Sequence, residues 1–285
     1  MEKKAWYQVI NGFALKLFAF FFMTLDHVAK FLQYNDVEGP VTDVLLVLGR
    51  FAFPLFILMM VEGVRHTRNY GKYALRLGII AALVLVSEII IHHCFMDIYS
   101  FYSPLIDLLV CSCFLYLIKR KDKYSFLAIL PLFFIVLSFT VITLENMNNY
   151  DIWWFPFYLR SGYNIYALFL SLGFYFAYPL AIAIFKNYGN NVSNLDETYL
   201  YRLTVNVIDI FVILLTIFIL YLISFIPNFD QFTISLQSWA MCSAIIVFFY
   251  NGERGYNKPW FKYGSYLYFP LHIAVIFIIF SIIFH

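Results

Sequence analysis

The residues able to do chemistry sit inside apolar stretches. In "FFMTLDHVAKF", Phe21 to Phe31, a carboxylate (Asp26) and an imidazole (His27) stand side by side near the middle of a run that otherwise reads as a membrane span. Ionisable groups at that depth are costly and by default suggest a functional site. An imidazole changes charge near neutral pH, so His27 suits a general base that takes a proton from an amine or hydroxyl. Lys16 lies eleven residues earlier. On a helix that is three turns plus ~20°, so both side chains face the same way, ~16 Å apart along the axis. Asp26 points ~100° away from His27, so it is poorly placed to orient the imidazole and better placed to pair with Lys30 or with Arg50 on the next span. The plainer reading makes Asp26, Lys30 and Arg50 structural pairs and His27 a packing histidine.

The second apolar stretch carries "GRFAFPLF", Gly49 to Phe56. Pro54 has no N–H, so a continuous helix there would free the carbonyl of Arg50 beside a guanidinium. Further on, Glu62, Arg65, His66, Arg68, Lys72 and Arg76 cluster in "VEGVRHTRNYGKYALRL", which the preference of basic residues for cytoplasmic loops explains in number but not in pattern. Near the end, Asn251, Gly252 and Gly255 in "NGERG" form a tight turn with Arg254 and Lys258 around it. Such a turn can offer N–H groups and cations to phosphate. Pro270 bends the last span near His272. Glu88, His92 and His93 end the third span, but no compact ligand motif accompanies them, and no metal is expected.

The elements that must position these groups follow from composition. Of 285 residues, 63% are hydrophobic and only 13% charged, with a mean hydropathy of +0.79. A soluble fold cannot hide that much apolar surface, whereas lipid covers it on a polytopic membrane protein. The net charge of +2 gives no argument for a nucleic-acid partner. The four cysteines read as small packing residues. Nine stretches are long enough to span as helices, near 10–33, 42–63, 72–95, 100–118, 124–144, 163–186, 204–226, 233–250 and 263–284, the fourth and eighth being the shortest. The N-terminus starts like a signal peptide but lacks a small-x-small cleavage site, so it reads as a retained first span. Lys186 to Arg202 reads as a solvated loop or surface helix. Basic residues on alternate loops put the N-terminus in the cytoplasm. The expectation is an all-α polytopic membrane protein, about nine transmembrane helices in one bundle, a single domain over 1–285. Glu62, Glu88, Asp107, Asp209 and His272 require a polar interior.

Taken together, "LDH" at 25–27, "GRFAFPLF" at 49–56, "VEGVRHTRNYGKYALRL" at 61–77, "SE" at 87–88, "NGERG" at 251–255 and "YFPLH" at 268–272 resemble the TraX family of bacterial membrane proteins. Residues 97–240 match only in hydrophobicity. The family is associated with N-terminal acetylation of conjugative pilin and is similar to integral-membrane acyltransferases that use cytoplasmic acetyl-CoA. That broader group carries an Arg or Lys in its first helix and a His eleven positions later, a pattern that Lys16 and His27 match. The resemblance implies a bacterial plasma-membrane acetyltransferase with acetyl-CoA as donor and an unidentified peptide or glycan acceptor. His27 would be the base, with Asp26 beside it, and Arg50 or Lys16 would stabilise developing oxyanion charge. Arg65, His66, Arg68, Asn251, Arg254 and Lys258 would hold the donor's phosphates. Two readings compete with an enzyme: a proton-coupled carrier lined by the same charges, and a non-catalytic membrane assembly subunit.

Overall fold

The computed structural model describes residues 5–95, 103–148, 152–187, 199–226 and 234–284, apart from the side chains of Glu88, 91–95, Ile234 and Lys262. The conceivable metal ligands Glu88, His92 and His93 therefore lie outside the described side chains, as does Cys94. No group of three possible metal ligands occurs among the described residues.

Helix α1 spans Gly12–Tyr34 and starts at Asn11, whose side chain accepts from the Ala14 amide at 3.0 Å. That bond satisfies one of the donors that a helix start leaves over. The second apolar stretch is two helices, α2 (Pro40–Gly49) and α3 (Ala52–His66). Between them Arg50 and Phe51 stay right-handed, but the Phe51 amide bonds one residue short, to Leu48 at 3.1 Å. The break thus precedes Pro54. Pro54 occupies the first turn of α3, where a missing N–H costs no helical bond. The break falls at Arg50, the residue whose carbonyl loses its i+4 donor to Pro54, as the sequence implied.

Then follow α4 (Tyr70–Phe95), α5 (Pro104–Lys119), α6 (Ile129–Asn148), α7 (Asn164–Asn187) and α8 (Tyr199–Ile223). The last segments are α9 (Ile234–Gln237), a 3-10 turn over Ser238–Cys242, α10 (Ser243–Phe248) and α11 (Pro259–Phe284). The chain is an all-α polytopic membrane protein, with seven helices among the described residues long and apolar enough to cross a membrane. The fourth and eighth stretches fall short: α5 has 16 residues, and the other is the Ser235–Phe248 run.

Both nevertheless complete an alternating path. Lys119, ending α5, donates to the carbonyls of Val64 (3.3 Å) and Arg65 (3.1 Å) at the end of α3. Tyr70, starting α4, stacks on Tyr116 near the end of α5 with centroids 3.9 Å apart. So α3 and α5 run one way and α4 the other. Asn206 of α8 donates to the carbonyls of Phe248 (3.2 Å) and Tyr250 (2.6 Å), which brings the end of α10 beside the start of α8. The first and last helices run parallel: Phe13 meets Phe261, Phe20 meets Tyr268, His27 meets His272 and Phe31 meets Phe280. A parallel first and last helix requires an odd number of passes.

Helix α3 forms the centre, with Leu55, Ile57, Leu58, Val61 and Val64 fully buried. Because lipid is as apolar as these side chains, close packing and polar contacts hold the helices together more than exclusion of water does. Gly49 illustrates the packing: a Cβ there would lie 2.8 Å from the Cα of Asp26, so only glycine lets α2 approach α1 this closely. Asp107 on α5 caps another helix. Its carboxylate accepts from the amides of Gly162 (3.2 Å), Tyr163 (3.2 Å) and Asn164 (2.8 Å) and from the Ser161 hydroxyl, at the N-terminus of α7. Of the ionisable groups that sequence placed within spans, this one has a complete structural role.

Candidate functional site

Two buried polar clusters lie at opposite ends of α3. The first surrounds a cavity of about 90 Å³. Helix α1 contributes Met23, Asp26, His27, Lys30 and Phe31, and α11 contributes Phe269, His272 and Ile273. The remaining wall comes from the α2–α3 junction, Val84, Ser103 to Leu105 and Tyr163. Asp26 is clamped from both sides, by Lys30 Nζ at 2.6 Å one turn along α1 and by the Arg50 guanidinium across the interface. Both pairings foreseen for Asp26 therefore occur together. The placement also separates the two cations: Lys30 lines the cavity, whereas Arg50 lies behind Asp26 and sends its Nε to the Leu46 carbonyl at 3.4 Å.

His27 donates Nδ1–H to the Met23 carbonyl at 2.8 Å, and His272 donates Nδ1–H to the Tyr268 carbonyl at 2.8 Å. Each ring is thus held by its own helix, and each presents its Nε2 edge away from that helix. The rings meet edge to face with centroids 4.9 Å apart. Tyr268 stacks on His272 at 5.1 Å and shares a hydrogen bond with Thr24 of α1.

Lys16 is on the face of α1 that His27 shares, as its spacing implied, and its Nζ stands 5.4 Å above the Phe261 ring of α11. The stretch between them is not a polar line. Phe20 stacks on Tyr268 at 4.5 Å and meets Phe269 edge to face at 5.7 Å, closing the seam between α1 and α11. The structure does not bring Lys16 to the cavity.

The second cluster centres on Arg202, which sequence assigned to a solvated connection. Residues 188–198 of that connection lie outside the described residues, but Arg202 itself is buried in the first turn of α8. Its Nη1 donates to Glu62 Oε1 (3.0 Å) and to the Tyr178 hydroxyl (2.7 Å), and its Nε donates to Asn206 Oδ1 (2.8 Å). Tyr178 in turn donates to Glu62. The Arg65 guanidinium lies 3.1 Å from the centroid of the Tyr178 ring, and His66 donates to the Glu62 carbonyl at 3.0 Å. Asp209 is fully buried, with Arg202 Nη2 4.0 Å away and no donor among the described residues.

The "NGERG" turn closes over this cluster. Gly252 and Gly255 have φ of +75° and +67°, a region where a side chain would strain the backbone. A Cβ on Gly252 would also lie 2.9 Å from Arg202 Cδ, and one on Gly255 would meet the Asn11 side chain. The turn holds the start of α1: the Gly12 amide donates to the Glu253 carbonyl (2.6 Å) and the Asn251 amide to the Ile10 carbonyl (2.8 Å). The Asn251 side chain accepts from the Glu253 amide at 2.8 Å. Arg254 and Lys258 remain exposed, as do His66 and Arg68. The two basic segments picked out by sequence thus share one end of the bundle, on either side of the Glu62–Arg202 pair.

A family model described as TraX protein matches residues 11–178. The chain belongs to the TraX family. The match runs from the start of α1 to Tyr178, so the helices carrying Asp26, His27, Lys30, Arg50 and Glu62 all lie within it. No curated protein and no solved structure matches the chain.

Sequence reasoning missed Lys30 as a cavity residue, along with Ser103 and Tyr163, and it missed Arg202, Asn206 and Tyr178 as cluster members. Two of these left a signal. Lys30 follows Asp26 by four residues, and Arg202 precedes Asp209 by seven, spacings that place each pair on one helix face.

Proposed function

We propose that this TraX-family membrane protein is an acetyltransferase of the bacterial plasma membrane. It moves an acetyl group from cytoplasmic acetyl-CoA to an amine or hydroxyl on the outer face, on a peptide N-terminus or an envelope glycan. The observation that supports this reading is the cavity in which His27 and the Asp26–Lys30 pair meet under apolar walls. His27 Nε2 takes the acceptor's proton as the acceptor attacks the thioester carbon. Lys30, fixed by Asp26, faces the carbonyl oxygen as charge develops there, in a site where dry surroundings strengthen its effect. Arg50 keeps Asp26 in place for that task. This assigns to Lys30 the role expected of Arg50 or Lys16.

Arg68, Arg254, Lys258 and His66 would meet the donor's phosphates at the basic end, taken as cytoplasmic, with Arg65 behind them on Tyr178. From Gly12 to His27 is ~22 Å along α1. The pantetheine arm would cover that distance along the seam between α1 and α11, with Phe20 and Tyr268 swinging aside.

The test combines chemistry with sidedness. Oriented vesicles should transfer labelled acetyl from CoA on the face carrying "NGERG" to envelope acceptors on the opposite face. In a cysteine-free background, Asp36→Cys should label from the acceptor side and Asn257→Cys from the donor side. Labelling of both from one face removes the transmembrane route. Absence of both CoA binding and transfer removes the enzyme and leaves the carrier and the assembly subunit.

A further inference from the structure

The "YFPLH" motif ends in His272, which the proposed chemistry leaves unused. His272 is 7% exposed, lines the cavity beside His27, and its Nε2 has no hydrogen-bond partner among the described residues. A packing histidine normally satisfies both nitrogens once buried, so an orphan edge in a cavity calls for an explanation. The ring is not loosely held. Its Nδ1–H is fixed on the Tyr268 carbonyl, its face lies on the Tyr268 ring, and Tyr268 is tied to Thr24 of α1. Those contacts leave Nε2 as a buried lone pair with no bonded partner among the described residues, on a ring that lines the cavity. The His27 and His272 rings are neighbours across the α1–α11 seam, with centroids 4.9 Å apart and planes nearly perpendicular.

We propose that His272 is a second catalytic residue, the leaving-group side of a two-imidazole proton relay with His27. The proposal rests on the acyl-transfer reading and adds a residue to it. The acceptor's heteroatom forms a bond to the thioester carbon while His27 Nε2 takes its proton. That proton passes to His272 Nε2. As the tetrahedral centre collapses and the carbon–sulfur bond breaks, His272 gives the proton to the departing sulfur. One bond forms, one breaks, and a single proton travels from acceptor to thiol, so both imidazoles return neutral. The acyl carbon then has a base on its attacking side and an acid on its leaving side, from two helices at opposite ends of the sequence.

The experiment uses the full-length protein in detergent, radiolabelled acetyl-CoA as donor and isolated cell envelopes as acceptor. His272→Ala should elute as a monodisperse protein, keep its KM for acetyl-CoA within about twofold and lose roughly 100-fold in turnover. Added imidazole should restore activity through the space left by the deletion. A series of methylimidazoles should rescue in order of basicity, and the non-basic ring pyrrole should not rescue at all. Near-normal turnover, equal rescue by pyrrole, or no rescue by any ring overturns the relay and leaves the acyl-transfer reading standing. A wild-type protein that transfers no acetyl overturns both.

Discussion

The clusters at the two ends of α3 are built from the same kinds of residue and end in different states. At the Arg202 end, one guanidinium reaches Glu62, Tyr178 and Asn206, a glycine turn lies against its side chain, and helices α3, α7 and α8 are tied together. At the His27 end, a carboxylate is clamped by two cations, yet a cavity remains beside it, lined by an imidazole whose Nε2 has no bonded partner among the described residues. Buried charge alone therefore does not separate a brace from a site. Vacant volume next to an incompletely bonded, chemically competent group does.

That contrast can be broken in four ways. The largest effect belongs to the brace. Arg202→Met strands Glu62 and Asp209 in the interior, which should cost about 3–5 kcal/mol of stability, read as denaturant or thermal unfolding in detergent. An unchanged transition would mean that the cluster is not holding α3, α7 and α8. Next comes the site: His27→Gln should unfold like the wild type and lose about 100-fold or more in acetyl transfer. If it loses stability and keeps its activity, the roles of the two ends are reversed. Lys30→Met should lower turnover about 100-fold while CoA binding holds, because Arg50 still neutralises Asp26. A matching loss in Arg50→Met, without any change in stability, would return the oxyanion role to Arg50. The smallest effects are expected at the exposed cations: Arg68→Ala and Arg254→Ala should each weaken CoA binding by about 1.5–3 kcal/mol in calorimetry, with wild-type affinity falling as salt rises. Full affinity in the double variant would move the donor away from this end.

The helical bundle was legible because lipid imposes a simple rule: every pass needs a long apolar helix. Seven of the nine stretches hold a helix long and apolar enough to cross, and the two shortest are those whose helices fall below that length. Asp26, Lys30 and Arg50 were legible as partners because helix period and neighbouring spans restrict the choice. What stayed hidden depended on contacts between distant segments. Nothing local says that Arg202 folds inward instead of facing the cytoplasm, since Glu62 and Tyr178 lie far from it in sequence. Nor does the one-face spacing of Lys16 and His27 reveal that aromatic rings of α11 fill the stretch between them. The break at Arg50 and Phe51 was legible because a proline leaves the carbonyl four residues before it without a helical donor.

The parallel pairing of α1 and α11 also sets a schedule for biosynthesis. Asp26, Lys30 and His27 enter the bilayer with α1, while His272, Phe269 and the "NGERG" clamp on the start of α1 belong to segments made much later. Until α11 arrives, that face of α1 has only lipid or an insertion factor for company. The clamped carboxylate matters at this stage, because α2 and its Arg50 follow closely and can neutralise Asp26 while most of the chain is still unmade. The cavity therefore closes only once α11 is in place, around a charge that was made safe much earlier.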